Sequence, residues 1–147
     1  MTKDIVKDIN VLHQKSEQFV FGEDDAVILD LLDTANAHAS NCAGLAAIQI
    51  GVAKRAIVIK SGKRFVPFIN PVIIICDPKT YVATEGCLSL SNTYAVKRYY
   101  AVMVRYQNVN GSVRTRKFSG RTAQILQHEI DHLNGITIQE CSYNGCQ

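Results

Sequence analysis

Ser119-Gly120-Arg121-Thr122-Ala123-Gln124-Ile125-Leu126-Gln127-His128-Glu129-Ile130-Asp131-His132-Leu133-Asn134-Gly135 is the stretch on which the reading of this chain turns. Ala123, Leu126, Ile130 and Leu133 recur at intervals of three and four, which puts them on one side of an α-helix. Ser119 stands where an N-cap is expected, and Gly135 where a C-terminal glycine ends a helix. Within this helix His128-Glu129-Ile130-Asp131-His132 is an H-E-x-x-H pattern. Side chains four residues apart lie one above the other, so both imidazoles can face a single metal ion. Glu129 is one residue beyond the first of them and can reach a water at that ion as a general base without ligating. Two chance histidines on a helix face are the plainer explanation. The chain has only four histidines, however, and two of them fall at this spacing around a glutamate.

Outward from this helix the sequence turns to strands. Stretches 56–59, 65–69 and 72–75 are short apolar runs, the last two separated by Asn70-Pro71. Residues 100–106 alternate, pass through the hairpin signal Asn108-Val109-Asn110-Gly111, and continue as a strand over 112–118. Residues 23–39 read as a further helix, with Glu23, Asp24 and Asp25 at its positive end and Val27, Ile28, Leu31, Leu32 and Ala35 as its apolar stripe. Strands flanked by helices without regular alternation predict an α+β fold. Antiparallel or mixed sheets would pack around a central helix carrying the histidines, with a second helix near the N-terminus.

The bulk properties bound this expectation. A chain of 147 residues, 47% hydrophobic and 20% charged, fits one globular domain over 1–147. The formal charge of +3 is mild and its cations are spread along the sequence, so no dedicated nucleic-acid site is expected. There is no apolar run of about 18 residues, and no membrane span is expected. The charged start Met1-Thr2-Lys3-Asp4 does not look like an export signal. Five cysteines (42, 76, 87, 141 and 146), odd in number and irregular in spacing, suit a reducing cytoplasm rather than a disulfide framework.

Two histidines leave a catalytic site one protein ligand short. The extended pattern H-E-x-x-H-x-x-G-x-x-H fails at Ile138, and Glu140 lies close behind the helix, so the third ligand should come from upstream. His13, His38 and several acidic or thiol groups are available there. Cys87 stands out for its setting in Glu85-Gly86-Cys87-Leu88-Ser89, with glycine before it and a free backbone N–H after it. A thiolate, two imidazoles and a water would make a four-coordinate catalytic set.

At these residues the chain resembles the peptide deformylase family. Gly44-Leu45-Ala46-Ala47-Ile48-Gln49 is similar to the first family motif, Glu85-Gly86-Cys87-Leu88-Ser89 to the second, and Gln127-His128-Glu129-Ile130-Asp131-His132-Leu133 to the third. The resemblance implies an enzyme that hydrolyses the N-formyl group from the N-terminal formylmethionine of nascent polypeptides, releasing formate. It implies that Cys87, His128 and His132 hold one divalent metal ion. Fe(II) is the implied metal in the cell, with zinc, nickel or cobalt able to replace it. Glu129 would move the proton, and Gln49 with the backbone N–H of Leu88 would bind the developing oxyanion. The peptide would lie extended near Ala43, Gly44 and Gly86, with Ile125 and Leu126 as candidates for the methionine pocket. An iron–thiolate centre would be oxygen-sensitive.

Several positions depart from the family pattern. Cys42 stands where a glycine usually opens the first motif, Ala43 is small for its position, and Gln124 replaces an apolar pocket residue. A proline common after the second motif is absent, while Arg98 can still pair with Glu85. Only 15 residues follow His132, too few for the C-terminal helix that many members use for ribosome docking, so any transient ribosome contact is expected to rest on scattered positive charge. These departures keep an alternative in view: a deformylase-like metal protein with an altered pocket, acting on another formamide or as a binder. A small metalloprotease is the third possibility, weakened by the missing downstream ligand.

Overall fold

The computed structural model describes residues 1–141; Cys146 lies outside the described residues. In chain order the elements are α1 (Ile9–Leu12), α2 (Asp25–Ala37), β1 (Gly44–Ala46), a 3-10 helix (Ala47–Ile50), β2 (Ala56–Ser61), β3 (Arg64–Cys76), β4 (Thr80–Glu85), β5 (Tyr94–Tyr99), β6 (Ala101–Gln107), β7 (Val113–Ser119) and α3 (Gly120–Leu133). One sheet has the order β1-β2-β3-β6-β7; β4 and β5 form a separate ribbon. Every named pair is antiparallel, which gives the expected α+β class.

The larger sheet is a central layer because β2 is apolar on both faces. Ile57 and Ile59 join Leu126 and Leu133 of α3 in one buried cluster. Their neighbours Ala56 and Val58 point the other way and meet Ile28, Leu31 and Ala35 of α2 in a second cluster. A strand with a period of two can serve both clusters only if all its residues are apolar, hence the unbroken run in 56–59. Each such Ile or Leu contributes about 1.5–3 kcal/mol on full burial. The sheet therefore fixes α3 in place, and with it the histidines.

Local differences from the sequence reading have identifiable causes. Residues 65–69 and 72–75 belong to one strand, β3, because Asn70 takes φ +51° and makes a bulge that absorbs Pro71 without ending the pairing to β6. The Asn70 side chain secures this by accepting from the Phe19 N–H at 2.9 Å and donating to Gln107 Oε1 at 2.9 Å. Helix α2 is shorter than 23–39 at both ends. Asp24 and Asp25 accept from the backbone N–H groups of Val20 and Gly22, and so tie down the preceding turn. Ser119 occupies the N-cap of α3, but its side chain makes no capping bond. At the other end Gly135, at φ +76°, closes α3, with the Ile136 N–H bonded to the Asp131 carbonyl. A β-carbon on Gly135 would lie 2.4 Å from the His13 carbonyl oxygen, so the N-terminal segment passes there only because glycine is present.

The β4–β5 ribbon had no counterpart in the sequence reading. It is docked to α3 by Gln127, which accepts from the Tyr99 N–H at 2.9 Å and donates to the Tyr99 carbonyl at 3.0 Å. The ribbon carries Glu85 at the end of β4 and Arg98 in β5, both facing α3.

Candidate metal centre

Helix α3 presents His128 and His132 one turn apart, their ring centroids 5.1 Å from each other. The segment after β4 brings Cys87 to them. One ligand atom from each of Cys87, His128 and His132 falls within 4.8 Å of the others. Cys87 Sγ and His132 Nε2 are 3.5 Å apart. A tetrahedral ion with bonds of about 2.3 Å to sulfur and about 2.0–2.1 Å to nitrogen sets its S and N ligands roughly 3.5–3.6 Å apart, so this donor set fits a divalent metal.

The orientation of His128 comes from behind. Its Nδ1 lies 2.9 Å from Glu85 Oε1, which leaves Nε2 for the centre. Glu85 is itself held by Arg98, whose Nε and Nη2 donate to its two oxygens at 2.9 and 2.7 Å. Arg98 Nη1 continues to Asp131 Oδ2 at 2.8 Å. Gln124 donates to Glu85 Oε2 at 3.0 Å and accepts from the Tyr81 hydroxyl at 3.2 Å. Glu85 and Arg98 are 6% and 4% exposed, so this is a buried charge network with its partners in place. Burial alone would raise the Glu85 pKa, but Arg98 and His128 outweigh it and hold the carboxyl down at about 2.

Glu129 lies on the pocket side of α3 over β1. A β-carbon on Gly44 would sit 2.8 Å from Glu129 Oε2 and 2.8 Å from Ile125 Cγ2, so only glycine lets this carboxylate lie against the strand. Burial pushes the Glu129 pKa up to about 7, against the pull of His128. Its Oε1 is buried without a hydrogen-bond partner among the described residues, as is His132 Nδ1. Gly86 differs from Gly44: a β-carbon there would make ordinary contact with Thr93 at 3.7 Å, and packing within the chain does not demand glycine.

Gln49 is the third residue of the 3-10 helix after β1. Its Oε1 accepts from the Ala46 N–H at 3.0 Å, which turns the amide nitrogen toward the centre. There Nε2 lies 3.4 Å from Cys87 Sγ and 3.2 Å from Ser89 Oγ. The Leu88 N–H donates to no group among the described residues. The Gln49 amide thus stands beside the ligand cluster, and the Leu88 N–H follows directly on Cys87 in the chain.

These groups open into a cavity of about 330 Å³ whose lining includes Ala43, Gly44, Gly86, Ile125, His128 and Glu129. β1 is an edge strand of the sheet. The Lys60 N–H bonds to the Ala43 carbonyl, so alternation turns the Gly44 N–H and carbonyl away from β2. Ile125 faces the cavity, whereas Leu126 is fully buried in the α3 core and does not line it. Cys42 is buried at the cavity wall, with Sγ 3.3 Å from the Gly44 carbonyl. Burial, then the nearby Glu129 charge, pushes its thiol up to about 12, the opposite of a reactive thiolate. Gln124 is at the cavity too, but its amide is engaged with Glu85 and Tyr81. Sequence reasoning quoted Ser89, Asp131 and Gln127 within the motifs without giving them a role and did not single out Tyr81; all four act through contacts across the fold.

Comparison with known proteins adds four findings. The family model described as Polypeptide deformylase matches residues 2–144. A peptide deformylase from Clostridium beijerinckii is 48% identical over 138 residues, covering 94% of this chain and all of that protein. Among solved structures, peptide deformylase from Thermotoga maritima superposes with a TM-score of 0.88 at 32% identity, over 97% of this chain and 98% of that one. A Met-Ala-Ser-bound class I type b peptide deformylase from Acinetobacter baumannii gives a TM-score of 0.85 at 26% identity, over 96% and 98%.

Proposed function

This chain belongs to the polypeptide deformylase family, a metal-dependent hydrolase that removes the N-formyl group from nascent peptides, and from that premise we propose how its residues divide the work. The observation that carries the proposal is the cluster of Cys87, His128 and His132 with Glu129 beside it. The three would hold one divalent ion. When bound, that ion polarises the formyl carbonyl and lowers the pKa of water from about 16 towards 7.

Glu129 accepts the proton of the attacking water on its free oxygen. It returns that proton to the nitrogen of the breaking C–N bond, so that formate and a free α-amine leave. A buried carboxylate of raised pKa is suited to both transfers. Gln49 Nε2 and the Leu88 N–H donate to the oxygen that becomes negative, each such donor being typically worth about 3–4 kcal/mol. Glu85 holds the His128 ring, and Arg98 holds Glu85. The peptide adds to the open edge of β1 through Gly44, passes beside Ala43, faces Gly86 across the cavity, and rests its methionine on Ile125.

Fe(II) is the metal we assign in the cell, with zinc, nickel and cobalt as substitutes at the same ligands. Residues 1–147 act as one catalytic domain in the cytoplasm, where nascent chains are found. No helix among the described residues is long and apolar enough to cross a membrane. Transient contact with the ribosome falls to the β6–β7 hairpin. Residues 86–128 carry seven Lys and Arg and no Asp or Glu. Arg105, Arg114, Arg116 and Lys117 stand exposed on the hairpin, in no ion pair among the described residues. The comparisons do not favour the alternative of a deformylase-like binder with an altered pocket.

The test is formate release from formyl-Met-Ala-Ser by protein purified without oxygen and loaded with Fe(II) or Ni(II). Turnover that collapses in Glu129→Ala with the metal retained supports the assignment. Full activity in Cys87→Ala would sink the ligand set.

A further inference from the structure

The cavity follows one face of α3. Arg121, Gln124, Ile125, His128 and Glu129 line it, a spacing of three, four, seven and eight residues from the first. The reacting groups stand at one end and Arg121 at the other, about two turns or roughly 10 Å along the axis. An extended peptide advances about 3.3 Å per residue. A chain that runs along this face from a formyl carbon at the metal centre brings its second or third residue level with Arg121.

Arg121 is exposed and makes no ion pair among the described residues. It stands in the first turn of α3, which contains no acidic residue, where the helix dipole disfavours a cation. Of the cavity's other polar lining residues, Asn41, Thr84 and Gln124 are neutral, Glu129 is buried at the reacting end, and Glu85 is already engaged with Arg98. The mouth thus holds one exposed, unneutralised guanidinium, a group whose planar fork matches a carboxylate.

We infer that Arg121 is a specificity-determining residue that favours nascent chains with Asp or Glu at the second or third position. This rests on the deformylase reading and extends it from the formyl group to the sequence behind it. Its carboxylate partner belongs to the peptide and is lost with the product.

The experiment compares isosteric pairs, Met-Asp-Ser with Met-Asn-Ser and Met-Ala-Asp with Met-Ala-Asn. Binding to the nickel-loaded protein is measured by calorimetry at low and high salt, and kcat/KM is measured on the formylated forms. We expect a threefold to fivefold preference for Asp in at least one pair, the size of an exposed ion pair, shrinking toward unity at high salt. The preference should vanish in Arg121→Gln, and Arg121→Glu should prefer Met-Lys-Ser. Equal affinities within both pairs in the parent, or a preference that survives Arg121→Gln, would overturn the inference. Product binding is read without turnover. A preference for Asp with no formate released would therefore support Arg121 and overturn deformylation, whereas brisk formate release without the preference would do the reverse.

Discussion

The wall behind the metal centre and the outer surface of α2 use the same residue types to different ends. Behind the centre, Arg98 lies 2.7–2.9 Å from Glu85 and 2.8 Å from Asp131, with the Arg98 and Glu85 side chains buried. On α2 Lys3 Nζ lies 3.9 Å from Asp30 Oδ2, and at the N-cap of α2 Lys54 Nζ lies 3.4 Å from Asp24 Oδ2, both at the solvent boundary. The surface pairs are screened and interchangeable with water contacts. The buried network is expensive to desolvate and stands only because each charge has a partner. Its product is the direction of His128, so the same chemistry is orientation in one place and solubility in the other.

The largest expected effect tests that contrast directly. Arg98→Met strips the buried Glu85 carboxylate and the half-buried Asp131 carboxylate of their guanidinium partner and should cost about 3–5 kcal/mol in urea unfolding of the metal-free protein. A cost no greater than that of a surface pair would break the comparison. Gly44→Ala probes the opposite wall of the same centre. The added methyl must displace the Glu129 carboxylate or Ile125, and kcat on formyl-Met-Ala-Ser should fall about 100-fold with metal content unchanged. Metal lost along with activity would place the damage at the ligands instead. Glu85→Gln keeps the shape but weakens the bond to His128 Nδ1. Metal affinity, read by competition with a chelator, should drop about 10–100-fold. The smallest effect belongs to α2: Lys3→Gln should change unfolding free energy by about 0.5 kcal/mol or less, with no change in metal affinity.

Much of this was legible in the residues because it is local. The stripes of α2 and α3 and the runs in β2 and β6 reveal themselves by period, since each buries a face along its own length. The ribbon β4–β5 escaped because the buried, inward-facing positions at Glu85 and Arg98 are charged rather than apolar, which leaves little hydrophobic period to read. Cys42 and Gln124 read as departures that could alter the pocket. The fold shows one as a buried thiol on the Gly44 carbonyl and the other as a brace for Glu85.

The sequence by itself determined the pairing of His128 with His132 and the place of Glu129 beside them, because helical spacing is set by backbone hydrogen bonds within four residues. Three motifs also told which family to expect. Only the tertiary structure decided which oxygen meets His128, how Gln49 turns its amide, why Gly44 admits no side chain, and that Arg121 stands at the outer end of the cavity. Those contacts join residues far apart in the chain, and their distances follow from how the sheet seats α3, which no short stretch of residues encodes.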